Sequence, residues 1–167
     1  MASEETRSNN SDIDRPTTDE YFWQIVEIVK TRSTCIRRQV GAIIVRDKRI
    51  LSTGYNGAPR QMTHCSKKGC IRNIQGIPSG QRHEYCRGVH AEQNAILQAA
   101  IFGFSVSNAT IYSTVYPCVT CAKMLINVGI TEVIYGEDYN DPLAREMFEE
   151  AGVKVRRIDE PVENDNQ

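Results

Sequence analysis

The chain has 167 residues and a formal net charge of −1, and none of its apolar runs approaches the length of a membrane span. That length suits one folded domain with a real core. There is no basic-then-apolar leader at the start, so no secretory signal is expected. Six cysteines in such a chain point to a reducing cytoplasm, where clustered thiols bind metal more often than they form disulfides.

Residues 1–16 and 159–167 read as polar tails, and 17–158 as the folded domain. A first helix should begin at Thr17, which forms a capping box with Glu20. Phe22, Ile25, Val26 and Val29 give it an apolar face that Tyr21 and Ile28 widen, with Trp23 at the edge or in a subunit contact. Residues 41–45 and 50–53 read as two strands of an antiparallel hairpin, turned by Asp47 and Lys48. Residues 56–89 show little periodicity but hold Gly, Pro and three cysteines, and a loop of that length is usually functional or tied by metal.

Beyond it, apolar strands at 109–113, 132–135 and 153–157 alternate with helices at 91–101, 119–128 and 143–151, which are followed by Gly103, Gly129 and Gly152. Strands alternating with helices should run parallel through right-handed crossovers. The expected fold class is α/β, an α/β/α sandwich with a mixed five-stranded sheet and helices on both faces.

The chemistry concentrates in two short motifs, His90-Ala91-Glu92 and Pro117-Cys118-Val119-Thr120-Cys121. Cys118 and Cys121 alone could be a redox pair, and His90 alone a satisfied core histidine. Together they supply one imidazole and two thiolates, the three protein ligands of a catalytic zinc that keeps its fourth position open. His90 and Glu92 are two residues apart, so both reach one centre only from the opening turn of a helix. Pro117 marks a second helix entrance, and two helix N-termini facing the metal favour thiolate over thiol. Glu92 is then free to move protons. H-x-E followed by P-C-x-x-C resembles the signature of zinc-dependent nucleobase deaminases.

A closer resemblance covers about Thr18 to Ile158. It is carried by Cys35 with Val40-Gly41-Ala42, by Thr53-Gly54-Tyr55-Asn56-Gly57, by the cysteine-rich insertion, by Val89 to Ile96 and by Tyr116 to Lys123. In these segments the chain resembles the deoxycytidylate (dCMP) deaminase branch of the cytidine-deaminase-like superfamily. The resemblance implies the fold described above and zinc-dependent hydrolysis of dCMP to dUMP and ammonia, supplying dUMP for thymidylate synthesis. It also implies a homohexamer activated by dCTP and inhibited by dTTP, with no nucleic-acid or membrane partner.

The resemblance implies substrate contacts as well. Asn56 would meet the sugar, unless it is a plain Asn-Gly turn. Tyr116 and Tyr139 would border base and sugar or simply pack in the core, and Ala91 joins the substrate set. Tyr55 and Gly57 would shape the effector site. Between Lys30 and Arg87 there are thirteen Lys or Arg against Asp47 and Glu84, an excess of eleven that suits an anionic ligand or a basic surface. Arg37 is the phosphate candidate within it, with a plain surface role as the alternative.

Cys35, Cys65, Cys70 and Cys86 could hold a second, structural zinc, for which His64 or His83 could replace a thiolate; buried free thiols and disulfides are the alternatives. Three rival functions stay open. They are a dCTP or dual dCMP/dCTP deaminase, a deaminase of tRNA or single-stranded DNA, and a non-enzymatic zinc module, for which Glu92 has no use.

Overall fold

The computed structural model describes residues 14–159, so the tails expected at 1–16 and 159–167 lie almost wholly outside it. Its elements in chain order are α1 (Thr18–Lys30), β1 (Gly41–Arg46), β2 (Arg49–Tyr55), α2 (Cys65–Lys68), α3 (Ile71–Ile74), α4 (Ala91–Phe102), β3 (Thr110–Val115), α5 (Val119–Asn127), β4 (Glu132–Glu137), α6 (Pro142–Glu150) and β5 (Lys154–Arg157). The five strands form one sheet in the order β2-β1-β3-β4-β5. β1 is antiparallel to both β2 and β3, and β3, β4 and β5 run parallel, as their helical crossovers predict. No helix among the described residues is long and apolar enough to cross a membrane.

Period-two alternation divides the sheet between two apolar layers. Ile43, Val45, Tyr112 and Ile134 pack with Phe22 and Val26 of α1 on one face. Ala42, Ile44, Ile111 and Val133 pack on the other with Ala95 and Ala99 of α4, Leu125 of α5 and Phe148 of α6. The Thr17–Glu20 capping box opens α1 as expected. Tyr21 and Ile28, expected to widen its buried face, are instead 50% and 68% exposed, because α1 meets the sheet along only one narrow stripe. Trp23 packs partly buried on this layer, with its ring over Gly136 of β4. Tyr112 donates to Asp19 (2.7 Å), which also pairs with Arg156 (2.8 Å), so a polar link joins α1 to β3 and β5.

At the hairpin, Asp47 and Lys48 take left-handed backbone, φ 51° and 56°, as a two-residue I′ turn requires. The segment read as aperiodic, residues 56–89, contains α2, α3 and a 3₁₀ turn at His83–Tyr85. Four-residue helices are too short to leave a periodic trace in sequence.

Of the positions held by glycine, the one with least room for a side chain lies between β2 and α4. A Cβ at Gly54 would fall far inside contact distance of the Ala91 carbonyl oxygen and the Ala95 amide, both backbone atoms. Glycine at 54 therefore sets how near the first turn of α4 comes to the sheet. Gly54→Ala is expected to destabilise the fold by about 3 kcal/mol, since neither backbone can yield cheaply. Urea unfolding checks this, and an alanine variant as stable as the unaltered protein would contradict it.

Candidate active site

His90 is the N-cap of α4 and Cys118 the N-cap of α5, so two helix N-termini converge on one point. The His90 amide donates to the Gln93 side chain (2.9 Å), which locks the opening turn. Asp141 secures the other side. One of its oxygens accepts from the Ala144 amide (3.1 Å), capping α6, and the other from the Val119 amide (2.8 Å), capping α5. This single carboxylate positions the turn carrying Cys118.

The Nδ1 atom of His90 lies 3.4 Å from the sulfur of Cys118 and 3.4 Å from that of Cys121. All three donor atoms fall within 4.8 Å of one another, which no other group of three His, Cys, Asp or Glu side chains achieves among the described residues. In a tetrahedral zinc site with ordinary Zn–N and Zn–S bonds, N and S would sit about 3.6 Å apart. The arrangement therefore fits a zinc ion, with three protein ligands and one position left open. The electrostatics agree. A hydrogen bond from Cys121, and then one from His90, holds the Cys118 thiol down to about 4, well below the ordinary thiol range. The same Cys118 bond, together with burial, pushes Cys121 up, so the pair already stabilises one thiolate.

Glu92 lies in the first turn of α4 and is only 4% exposed. Its Oε1 accepts from the Ser113 hydroxyl (3.0 Å) and its Oε2 lies 3.4 Å from Cys121. Burial raises its pKa above the ordinary carboxylate range. Ser113 was missed in the sequence. It sits on the same face of β3 as Ile111, and a lone hydroxyl in an inward-facing row is the signal that could have found it.

A cavity opens from this cluster, walled on one side by the 56–89 insertion. Among the described residues Glu92 is the only carboxylate lining it, against four arginines, Arg37, Arg38, Arg72 and Arg87. Asn56 also lines it, but its side chain serves the chain as well, accepting from Ser33 (2.6 Å) and Val40 (2.9 Å) and donating to the Arg38 carbonyl (2.8 Å). Ala91 is buried in the wall. Tyr116 is both wall and core, edge-on to Tyr135 and Phe148. The Tyr139 hydroxyl meets His83 Nε2 (3.0 Å) and the Gly80 carbonyl (3.3 Å), closing the insertion over the cavity. Arg37 donates to the Ile77 carbonyl (3.0 Å). Gly57 lines the cavity and bridges to Val89, whereas Tyr55 is exposed and does not line it.

Cys35, Cys65, Cys70 and Cys86 are unpaired and all line the cavity. Burial, then the other three sulfurs, raises the Cys65 pKa, which puts the four within electrostatic reach of one another. No three of these sulfurs come within 4.8 Å of one another. His83 is nearby, its ring 5.5 Å from that of His90. His64 is exposed and lies outside the cavity.

Residues 16–137 match the family model described as the cytidine and deoxycytidylate deaminase zinc-binding region. The chain is similar to ComE operon protein 2 of Bacillus subtilis, 42% identical over 88% of this chain and 74% of that protein. It is 38% identical to a deoxycytidylate deaminase of Saccharomyces cerevisiae over 86% of this chain, and spans just 46% of the yeast protein's length. Among solved structures, a dCMP deaminase from the cyanophage S-TIM5, in complex with dCMP and dUMP, superposes with a TM-score of 0.71 at 28% identity, covering 86% of this chain and 98% of that one.

Because the three donors act together, His90→Ala and Cys121→Ser are each expected to lower bound zinc by about one ion per chain. Metal analysis of the purified variants checks this. Unchanged zinc content in both would show that the ion sits elsewhere.

Proposed function

The chain belongs to the cytidine and deoxycytidylate deaminase family, and from that premise we propose that its domain hydrolyses dCMP to dUMP and ammonia. The observation that carries the reading is Glu92, an acid buried beside a three-donor metal group in a cavity otherwise lined by cationic and neutral side chains. Relatives named deoxycytidylate deaminase, and the phage enzyme solved with dCMP and dUMP, support the choice of substrate.

His90, Cys118 and Cys121 would hold the zinc, which supplies the Lewis acidity that makes water a nucleophile near neutral pH. Glu92 takes the proton of the attacking water and delivers it to the ring nitrogen beside the amino-bearing carbon. Glu92 then takes the remaining proton from the new C–OH group and passes it to the amine, so that the C–N bond breaks, ammonia leaves and the carbonyl forms. Burial suits it to this exchange, because a carboxylate with a raised pKa accepts a proton readily. The Ser113 hydroxyl anchors one of its oxygens and leaves the other facing the metal ligands.

Asn56 and Tyr139 are proposed to border the sugar, Ala91 and Tyr116 the base, and Arg37 to contribute to the basic side that receives phosphate. Cys35, Cys65, Cys70 and Cys86 are proposed to hold a second zinc; their shared wall and mutual electrostatic reach support it, and the sulfurs would have to draw closer to bind. The reading extends to a cytoplasmic homohexamer supplying dUMP for thymidylate synthesis, activated by dCTP and inhibited by dTTP, with Tyr55 and Gly57 in the effector site. Family resemblance supports those properties.

In a deamination assay, Glu92→Gln is expected to keep its zinc and lose roughly 10²–10⁴-fold in turnover. Near-normal activity of that variant would remove Glu92 from the reaction. A panel of dCMP, dCTP, deoxycytidine and a cytosine-containing oligonucleotide, each with and without dCTP and dTTP as effectors, should show dCMP preferred; equal use of dCTP would make the enzyme dual. Metal analysis should find about two zinc ions per chain, and one in undamaged protein would reject the second site.

A further inference from the structure

The four arginines lining the cavity are not equivalent. Arg38 pairs with Glu137 (2.5 Å) at the rim. Arg37 donates to the Ile77 carbonyl and also lies against Cys70, where its charge and hydrogen bond favour the thiolate. The charge of Arg87 acts on Cys65 against the rise that burial causes, and one of its terminal nitrogens is buried without a partner. Each of these three therefore has an anionic or potentially anionic neighbour within the chain.

Arg72 has none. It lies on α3, inside the insertion, and is 6% exposed. Its Nη2 donates to the Pro78 carbonyl (3.1 Å), and its Nε–H is buried with no acceptor. No carboxylate pairs with it among the described residues. Its charge reaches the two side chains that close the insertion over the cavity. Burial raises the Tyr139 hydroxyl and Arg72 opposes that rise; burial lowers His83 and Arg72 adds to the fall. An unpaired guanidinium withdrawn from water is costly unless an anion completes it, and its planar donor fork matches phosphate oxygens.

We propose that Arg72 is a specificity-determining residue that receives the 5′-phosphate of the nucleoside monophosphate, its Nε–H supplying the buried donor. The assignment rests on the dCMP reading and deepens it. The insertion that carries the cysteines thereby also carries the group that distinguishes a nucleotide from a nucleoside. Pro78 is already held by Arg72, so phosphate binding and closure of the insertion are coupled.

The test is equilibrium binding of dUMP and of deoxyuridine to zinc-replete protein by calorimetry. The unaltered protein should prefer dUMP by about a hundredfold. Arg72→Gln should bring that preference to within about threefold by weakening dUMP alone, and Arg72→Lys should recover part of it. An undiminished preference in Arg72→Gln, or equal weakening of both ligands, overturns the assignment. In the unaltered protein, dUMP but not deoxyuridine should slow amide exchange across residues 71–78, and indistinguishable exchange with the two ligands overturns it even if the variants fail to fold. Unaltered protein that does not turn over dCMP refutes the parent reading; normal turnover with phosphate preference intact in Arg72→Gln refutes this one alone.

Discussion

The first turn of α4 lies so close to β2 that position 54 has no room for a side chain. That approach places His90 at the mouth of the helix and brings Glu92 within 3.0 Å of Ser113 on β3. A carboxylate 4% exposed is expensive to keep, and the Ser113 bond with the nearby metal-type donors is what the fold offers in return. The metal-ligand cluster and its acid therefore depend on one backbone-to-backbone contact in the core.

The opposing side is held by polar capping. Asp141 bonds the first amide of α5 and also caps α6, so the turn bearing Cys118 is fixed from the loop after β4. Cys118 and His90 then meet at two helix N-termini, where partial positive charge and mutual hydrogen bonding hold a thiolate. A rigid scaffold thus presents soft donors that a borderline-soft ion prefers. In the family to which the chain belongs, such a centre serves deamination.

The insertion is built differently. Very short helices, a 3₁₀ turn and the Tyr139 contacts with His83 and Gly80 hold it over the cavity, with little apolar burial. Its buried members are chiefly polar or sulfur-bearing: Cys65, Cys70 and Arg72. Segments ordered by so few apolar contacts are those a ligand can order further. The four arginines and single carboxylate of the wall make the cavity attractive to an anion without making the whole chain basic.

Much of this was legible in the sequence, because it depends on local pattern. Short apolar runs announced the strands, the Thr17 capping box announced α1, and the two motifs named every member of the metal-donor group and the acid beside it. The exposure of Tyr21 and Ile28 was not legible, since helical periodicity marks an apolar side without saying how much of it a neighbour covers. Ser113, Asp141 and Arg72 were also invisible, each for the same reason. What they do depends on partners brought close only by folding: Glu92 lies 21 residues from Ser113, and Val119 lies 22 from Asp141. Residue identity and spacing thus determined which atoms can bind a metal and move a proton. Which buried cation lacks an ion-pair partner is a fact of three-dimensional packing, and only the tertiary structure decided it.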